Sequence, residues 1–183
     1  MNIRSYFGGI RWYFYNRIVN KIPFFSIRMF LLKTYITVGN NSNILTGVEI
    51  LTRSAGSKND IIIGDNCIIN TGCLLDGRVG RIIIGNNVDI ARETNIFTLQ
   101  HDPHDDYHNT KGGNVVINDH VWISSRVTIL PGVTIGRGAV VASNAVVNKT
   151  VAEMEICAGI PAQKIGVRKS KLLYTLMHKP FLG

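Results

Sequence analysis

The chain has 183 residues, of which 45% are hydrophobic and 17% are charged, and its formal net charge is +8 at pH 7. This composition predicts one folded domain with a substantial core and excludes a disordered chain. No zinc-finger spacing, helix-turn-helix pattern or base-stacking motif accompanies the positive charge, so we expect no nucleic-acid partner. No apolar run is long enough to cross a bilayer and no secretory signal is evident, so we expect a soluble or peripheral protein.

Residues 1–37 are predicted to form a helical N-terminal cap. Aromatic residues alternate with arginine and lysine over residues 1–33, Pro23 separates two helical segments, and the first acidic residue of the chain is Glu49. Such a segment can cover the end of the fold that follows it, or pack on a neighbouring subunit. It can also contact an anionic membrane surface, because basic and aromatic side chains on one helix suit the lipid interface. The sequence leaves these alternatives open.

From Val38 onward, an aliphatic residue recurs at every sixth position, in five sets of three. The sets are Val38, Ile44 and Ile50; Ile63, Ile69 and Leu75; Ile84, Ile90 and Ile96; Ile117, Ile123 and Ile129; and Ile135, Val141 and Val147. A period of six fits neither an α-helix nor a single strand, so it indicates a repeating supersecondary unit. Three short strands joined by corners make one triangular coil. Residues 38–155 are therefore predicted to form an all-β solenoid of about five coils, and residues 156–183 a C-terminal cap with a short helix or tail.

A second row of smaller residues accompanies the aliphatic row, as at Ser42, Cys67, Cys73 and Ala139. Large residues stacked beside small ones fill a narrow prism without voids, so these two rows are the predicted core. With Cys157, the chain has three cysteines, which are too few for a disulfide framework. We therefore expect a reducing, cytoplasmic setting.

The sixfold spacing lengthens only between coils, over residues 50–63, 75–84 and 96–117. All three insertions therefore leave one corner of the predicted prism, and insertions in solenoids gather on the binding face. The longest of them, a predicted catalytic loop over residues 97–116, holds three of the five histidines. This loop is the predicted chemical centre of the chain.

Histidines 101, 104 and 108 allow three interpretations: a metal site, a general-base site or a solvated polar loop. Their spacings of three and four residues suit zinc ligands on a helical turn, although Pro103 disfavours a regular helix there. His101 lies where the loop leaves the coil, so it is the candidate general base, and His104 is the second candidate. The sequence assigns no role to His108 or His120.

Two stretches resemble the hexapeptide-repeat acetyltransferases, a family that includes maltose, galactoside and surface-polysaccharide O-acetyltransferases. They are VVINDHVWISSRVTILPGVTIGRGAVVASNAVV and the closing motif AGIPAQKIG, and INTGCLLDGRVGRIIIGNNVDI followed by QHDPHD is most similar to the polysaccharide enzymes. The resemblance implies a left-handed parallel β-helix and a homotrimer with active sites between subunits. It also implies acetyl transfer from acetyl-CoA to a hydroxyl of a sugar or glycan precursor, with no metal required.

The resemblance also implies roles for particular residues. His101, which opens QHDPHD, is implied as the general base. The implied acceptor-binding residues are Asn70, Asp76 and His104. The implied cofactor-binding residues are Trp122, Ser125, Ser143, Asn148 and Lys149. The pair Ser143-Asn144 departs from the glycine-containing pair that is usual in the family.

Other functions remain open. N-acylation of an amino sugar uses the same base and donor, with a different acceptor pocket. A zinc carbonic anhydrase of this fold needs three histidines that converge from adjacent subunits, whereas here they cluster in one loop. A membrane or scaffold role without catalysis is a further alternative. For the enzyme, we expect a cytoplasmic location, with peripheral contact at the inner face of the cell membrane as an option.

Overall fold

Three β-sheets form the sides of a triangular prism. The computed structural model describes residues 3–53 and 57–177, with side chains from Ile10 onward. The first sheet contains β1 (Thr37–Val38), β4 (Ile61–Ile63), β7 (Ile82–Ile84), β12 (Val115–Ile117) and β15 (Thr134–Ile135). The second contains β2 (Asn43–Ile44), β5 (Ile68–Ile69), β8 (Asp89–Ile90), β13 (Trp122–Ile123), β16 (Val140–Val141), β18 (Glu155–Ala158) and β19 (Gln163–Val167). The third contains β3 (Glu49–Thr52), β6 (Leu74–Gly77), β9 (Asn95–Phe97), β14 (Thr128–Ile129) and β17 (Val146–Val147).

Each coil contributes one strand to each sheet, in the register that the sixfold period predicts. In the first sheet, Ile63 pairs with Ile84, Ile84 with Ile117, and Ile117 with Ile135, all in parallel. The predicted five-coil solenoid is therefore confirmed. Val151 bridges to Ile135, and β18 pairs in parallel with β16, so the stack continues past the fifth coil as far as β18.

The two predicted rows form the core. Every predicted aliphatic position except the partly buried Val38 is at most 4% exposed, and the small residues beside them are at most 5% exposed. Each fully buried isoleucine stabilises the fold by roughly 1.5–3 kcal/mol relative to an exposed one. The narrow interior explains the alternation in size, because two large rows side by side would not fit.

The corner between the first and second sheets requires glycine at several levels. A Cβ added at Gly64 would lie 2.5 Å from the carbonyl oxygen of Gly85 in the next coil. Nearby, the Asp65 amide donates to Asn86 Oδ1, and the Asn86 amide donates to Asp119 Oδ1. Successive coils therefore approach closely at this corner, and short polar side chains bond the backbone of one coil to the next.

The N-terminal helices cover one end of the prism. They are α1 (Ile3–Arg17) and α2 (Phe25–Leu32), separated by a short 3-10 turn. Tyr15 and Leu32 are buried in the core cluster. Asn16 donates to the Ile50 carbonyl oxygen at 2.8 Å and accepts the Ile50 amide at 2.9 Å, so its side chain pairs with β3 as a further strand would. No helix in the described residues is long and apolar enough to cross a membrane.

The C-terminal segment packs back along the prism. β19 pairs antiparallel with β18, and the described residues after it form an irregular tail rather than a helix. Leu172 in this tail is buried, and the Leu176 amide donates to Asn87 Oδ1. The tail therefore fastens the last coil to a coil nearer the N-terminus.

Candidate active site

The three insertions leave the corner between the third and first sheets, as predicted. They connect β3 to β4, β6 to β7 and β9 to β12. Hydrogen bonds join neighbouring insertions: the Val79 amide donates to Thr98 Oγ1, and the Arg81 amide donates to Asn114 Oδ1. We call the described parts of these segments (residues 51–53, 57–60, 76–81 and 97–114) the insertion edge.

The longest insertion contains a β-hairpin, which the hexad period does not predict. β10 (Leu99–His101) pairs antiparallel with β11 (Thr110–Gly112). Lys111 Nζ lies 3.0 Å from Asp102 Oδ2, so a salt bridge links the two sides. The loop that carries the histidines is therefore held by backbone pairing.

Carboxylates shape the turn of this hairpin. Asp102 Oδ1 accepts the His104 amide, and this bond, with help from Lys111, lowers the pKa of Asp102. Asp105 accepts bonds from the Asn109 side chain and from the Tyr107 amide, which lower its pKa in turn. Both carboxylates therefore remain ionised near neutral pH.

His101 is held in a defined tautomer. Its Nδ1 lies 3.0 Å from the carbonyl oxygen of His108, and the two imidazole rings stack with centroids 3.8 Å apart and planes 11° apart. Because a carbonyl oxygen can only accept, Nδ1 must carry the proton and donate it. Nε2 of the neutral ring then has a free lone pair, as a general base requires. His101 is solvent-exposed, so this nitrogen is reachable from outside.

His108, to which the sequence assigned no role, therefore supports His101. Its backbone is in the left-handed region, at φ 55°, which histidine tolerates better than bulkier residues. Only the hairpin brings it beside His101, so no sequence spacing could have revealed the contact. His104 is exposed and makes its bond to Asp102 through the backbone. Within residues 3–53 and 57–177, no cluster of three or more His, Cys, Asp or Glu side chains could hold a metal ion.

Asp76 lies on the insertion edge, but its carboxylate is already engaged. The side chain is 1% exposed, and it accepts Arg78 Nε at 2.9 Å on Oδ1 and Arg78 Nη2 at 2.7 Å on Oδ2. The sequence implied that this carboxylate holds a sugar hydroxyl. In this geometry the half-exposed Arg78 is the group of the pair that faces solvent.

Asn70 lies at the opposite edge of the third sheet, at the corner with the second sheet. Its side-chain amide donates to the Ile90 carbonyl oxygen at 3.0 Å, which extends the ladder between coils. The side chain is partly buried. Asn70 and Asp76 therefore flank the third sheet from its two sides.

The five implied cofactor residues occupy three places in the coils near the C-terminus. Trp122 projects from the second sheet and is 47% exposed. Ser125 and Ser143 stack at the corner between the second and third sheets, where the Asn144 amide donates to the Ser125 carbonyl oxygen. Asn148 and Lys149 are exposed and follow β17, on the side of the insertion edge.

The site residues thus line both edges of the third sheet, with Trp122 on the adjoining face. In register, Asp76 aligns with Phe97, Leu130 and then Asn148 along the insertion side. Three strand spacings separate Asp76 from Asn148, about 14 Å. Within one chain, the described site residues therefore lie along two edges of the third sheet and on the adjoining second sheet.

His120 and Arg168 belong to the C-terminal tail contact. Arg168 Nη1 donates to the carbonyl oxygens of His120 and Gly138, and Tyr174 packs its ring edge-on against the His120 ring. Burial lowers the pKa of His120. Arg168 therefore fastens the tail.

The chain is similar in sequence to known acetyltransferases. The family model described as bacterial transferase hexapeptide (six repeats) matches residues 114–149. The putative lipopolysaccharide biosynthesis O-acetyl transferase WbbJ of Escherichia coli K12 is 29% identical over 141 residues, which cover 70% of this chain and 71% of that protein. The chain spans about half the length, 52–55%, of the first curated acetyltransferases that it matches.

Solved structures match over most of the chain. The hexapeptide-repeat acetyltransferase VCA0836 of Vibrio cholerae is 31% identical, with a TM-score of 0.75 and 91% of each chain covered, and it has also been solved with acetyl coenzyme A. A galactoside acetyltransferase solved with coenzyme A is 28% identical, with a TM-score of 0.75, and 90% of this chain and 80% of that chain are covered. The left-handed parallel β-helix expected from the sequence is confirmed.

Proposed function

We propose that this chain, which belongs to the hexapeptide-repeat acetyltransferase family, transfers acetyl from acetyl-CoA to a hydroxyl of a sugar or glycan precursor. The tautomer of His101 supports the proposal independently of the relatives, since it follows from one hydrogen bond. The similarity to WbbJ, the lipopolysaccharide biosynthesis O-acetyl transferase named above, supports a role in making a surface polysaccharide. The donor is a substrate, and the proposed reaction requires no metal.

His101 is the proposed catalytic residue. With Nδ1–H donating to the His108 carbonyl oxygen, Nε2 takes the proton from the acceptor hydroxyl as that oxygen attacks the thioester carbonyl carbon. The tetrahedral intermediate collapses with cleavage of the C–S bond, and the imidazolium returns the proton to the departing thiolate. Positioned base catalysis contributes roughly 10²–10⁴-fold, and holding two substrates together supplies much of the rest.

The donor is proposed to lie along the coils near the C-terminus. Trp122 offers an exposed aromatic surface for the pantetheine chain, and Lys149 offers a cation for a phosphate. Ser125 and Ser143 stack on adjacent coils, so their backbone groups line a continuous strip. Asn148 precedes Lys149 at the other edge of the third sheet.

A homotrimer is proposed, with active sites between subunits. The support is geometric: Asn70 and Asp76 flank opposite edges of the third sheet, and Trp122 lies on the second sheet. A second prism packed beside the third sheet would close these residues into one site. Light scattering measures the mass of the oligomer and so tests for a trimer.

Mixed oligomers of His101→Ala and Trp122→Ala chains should regain part of the activity if the two residues of one site come from different chains.

The activity is tested by incubating the protein with acetyl-CoA and a panel of sugars, nucleotide-linked sugars and lipid-linked glycans, and by measuring free thiol. A hydroxylamine-labile product indicates an ester, whereas a resistant one indicates the N-acylation alternative. The same assay after chelation tests the statement that no metal is required. Absence of thiol release with every acceptor would contradict the proposal.

Peripheral membrane contact through residues 1–33 is also proposed, on the basis of the outward face of the N-terminal helices. Tyr13 is 57% and Phe30 is 74% exposed. The other exposed large apolar side chains of the described N-terminal segment are Ile10, Trp12, Phe14, Ile18, Phe24 and Ile27. Exposed Arg17, Lys21 and Lys33 accompany them, and no acid precedes Glu49. A cationic apolar face suits an anionic bilayer and repels a second copy of itself. We therefore propose a cytoplasmic enzyme that works at the inner face of the membrane.

Co-sedimentation with phosphatidylglycerol-containing vesicles tests this contact. Wild type should pellet with anionic vesicles and not with pure phosphatidylcholine, and salt should release it. Ile27→Ser/Phe30→Ser should lose binding, whereas the matched control Ile165→Ser/Leu173→Ser, on the exposed C-terminal segment, should retain it. Unchanged sedimentation of the first variant would refute membrane contact, and a lowered oligomeric mass would show that the face joins two subunits instead.

A further inference from the structure

A groove of about 660 Å³ opens where the N-terminal cap meets the first three coils. Lys21 and Pro23 of the cap form one wall. The opposite wall follows the corner between the second and third sheets, where Thr46, Thr71 and Arg92 come from successive coils. The groove lies next to Asn70 in the chain, so it adjoins the proposed acceptor side of the site.

The charged side chains that line this groove differ in whether they already take part in a salt bridge. Lys21 and Arg92 are exposed, and neither takes part in a salt bridge within the described residues. Glu93, the acid of the lining, is bound to Arg126, with Nε 2.7 Å from Oε2. That bond holds the pKa of Glu93 below its usual range. Within the described residues, the groove therefore offers two cations without a salt bridge, of which Arg92 also helps to lower the pKa of the nearby Glu93.

We propose that this groove binds a phosphate group of the acceptor, which makes the acceptor a phosphorylated glycan precursor. An ammonium, a guanidinium and two threonine hydroxyls are the donors that phosphate oxygens accept from most readily. The inference rests on the proposed function, since it names the substrate class of the same site. A nucleotide-linked sugar and a lipid-linked sugar both carry this chemistry.

The position of the groove agrees with a site shared between subunits. Within one chain, the segment from Glu93 to Thr98 crosses the third sheet between the groove and the insertion edge. Five residues of strand span about 16 Å, which is longer than one sugar phosphate. A monosaccharide phosphate held by Lys21 and Arg92 would therefore meet the base of the adjacent subunit in the proposed homotrimer.

Isothermal titration of the full chain with inorganic pyrophosphate tests the groove without any acetyl transfer. Lys21→Met and Arg92→Met should each weaken binding about tenfold. Glu93→Gln should strengthen binding, because it removes a carboxylate from the wall. Arg137→Met is the matched control, since it removes an exposed cation at another corner, and it should bind as wild type does.

Two further titrations identify the source of the phosphate. Uridine diphosphate represents nucleotide-linked acceptors, and a short-chain isoprenyl phosphate represents lipid-linked ones; the tighter binder names the class. Equal binding by Lys21→Met, Arg92→Met and wild type would overturn the proposal, as would displacement of pyrophosphate by coenzyme A. Pyrophosphate binding in a protein that releases no thiol from acetyl-CoA would instead refute the proposed function alone.

Discussion

Arg78→Met is expected to destabilise the protein although Arg78 is 53% exposed. The side chain donates two hydrogen bonds to the Asp76 carboxylate, at 2.9 and 2.7 Å, and the Arg78 amide donates another at 3.2 Å. The substitution leaves a carboxylate that is 1% exposed without its cation. An unsatisfied buried polar group costs about 1–3 kcal/mol, and partial solvation of the pair favours the lower half of that range.

Asp76→Asn should cost less, because it removes the buried charge and frees an arginine that water can reach. The double variant should then be about as stable as Asp76→Asn alone, since no buried carboxylate remains. Arg81→Met, an exposed arginine of the same insertion, is the control and should change stability by no more than about 0.5 kcal/mol.

Urea unfolding followed by tryptophan fluorescence measures these differences, at one protein concentration because oligomerisation affects stability. The buried Asp76 charge would not be the cause if Arg78→Met destabilised the protein no more than Arg81→Met does. The same would follow if the loss of stability in the double variant equalled the sum of the losses in the two single variants. In the transfer assay, an unchanged acceptor KM for Arg78→Met together with a raised KM for Asp76→Asn would show that the carboxylate itself binds the sugar.

Gly64→Ala should destabilise strongly, because its Cβ meets the Gly85 main chain, whereas Gly132→Ala, with open space and φ 82°, should cost about 1–2 kcal/mol of left-handed strain; thermal unfolding separates them. His120 has a folded-state pKa below its unfolded value, so the unfolded chain binds the proton first. Stability should therefore fall as pH drops below about 6.5, and His120→Gln should flatten that slope in urea titrations. The three cysteines, whose pKa burial raises to about 11, should react with Ellman's reagent at pH 8 only after denaturation.

Most of the fold was predictable from the sequence because every coil buries the same pattern of large and small residues. The aliphatic row from Ile44 to Val141 and the two other aliphatic rows can be buried together in a narrow prism, with rows of small residues beside them. The location of the insertions at one corner followed from counting alone. The C-terminal tail was less predictable, since contacts such as Leu176 with Asn87 obey no period.

The site was predictable in position but not in its contacts. His101 could be identified as the candidate base because it is the first histidine of the loop that leaves the coil. Its tautomer, however, depends on a carbonyl group seven residues away across a hairpin. That hairpin depends on Asp102 and Asp105 bonding turn amides, which the histidine spacing does not indicate. Likewise, Asp76 follows the buried Leu75 within β6, and only the folded structure shows that its carboxylate is buried and faces Arg78.

The central claim is that His101 acts as the base in acetyl transfer from acetyl-CoA. Its most direct test compares thiol release by wild type, His101→Ala and the control Tyr107→Ala, an 88% exposed residue of the same loop, with the best acceptor of the panel and both substrates saturating. We predict that His101→Ala lowers kcat by roughly 10²–10⁴-fold while Tyr107→Ala stays near wild type. Wild-type turnover by His101→Ala would contradict the account.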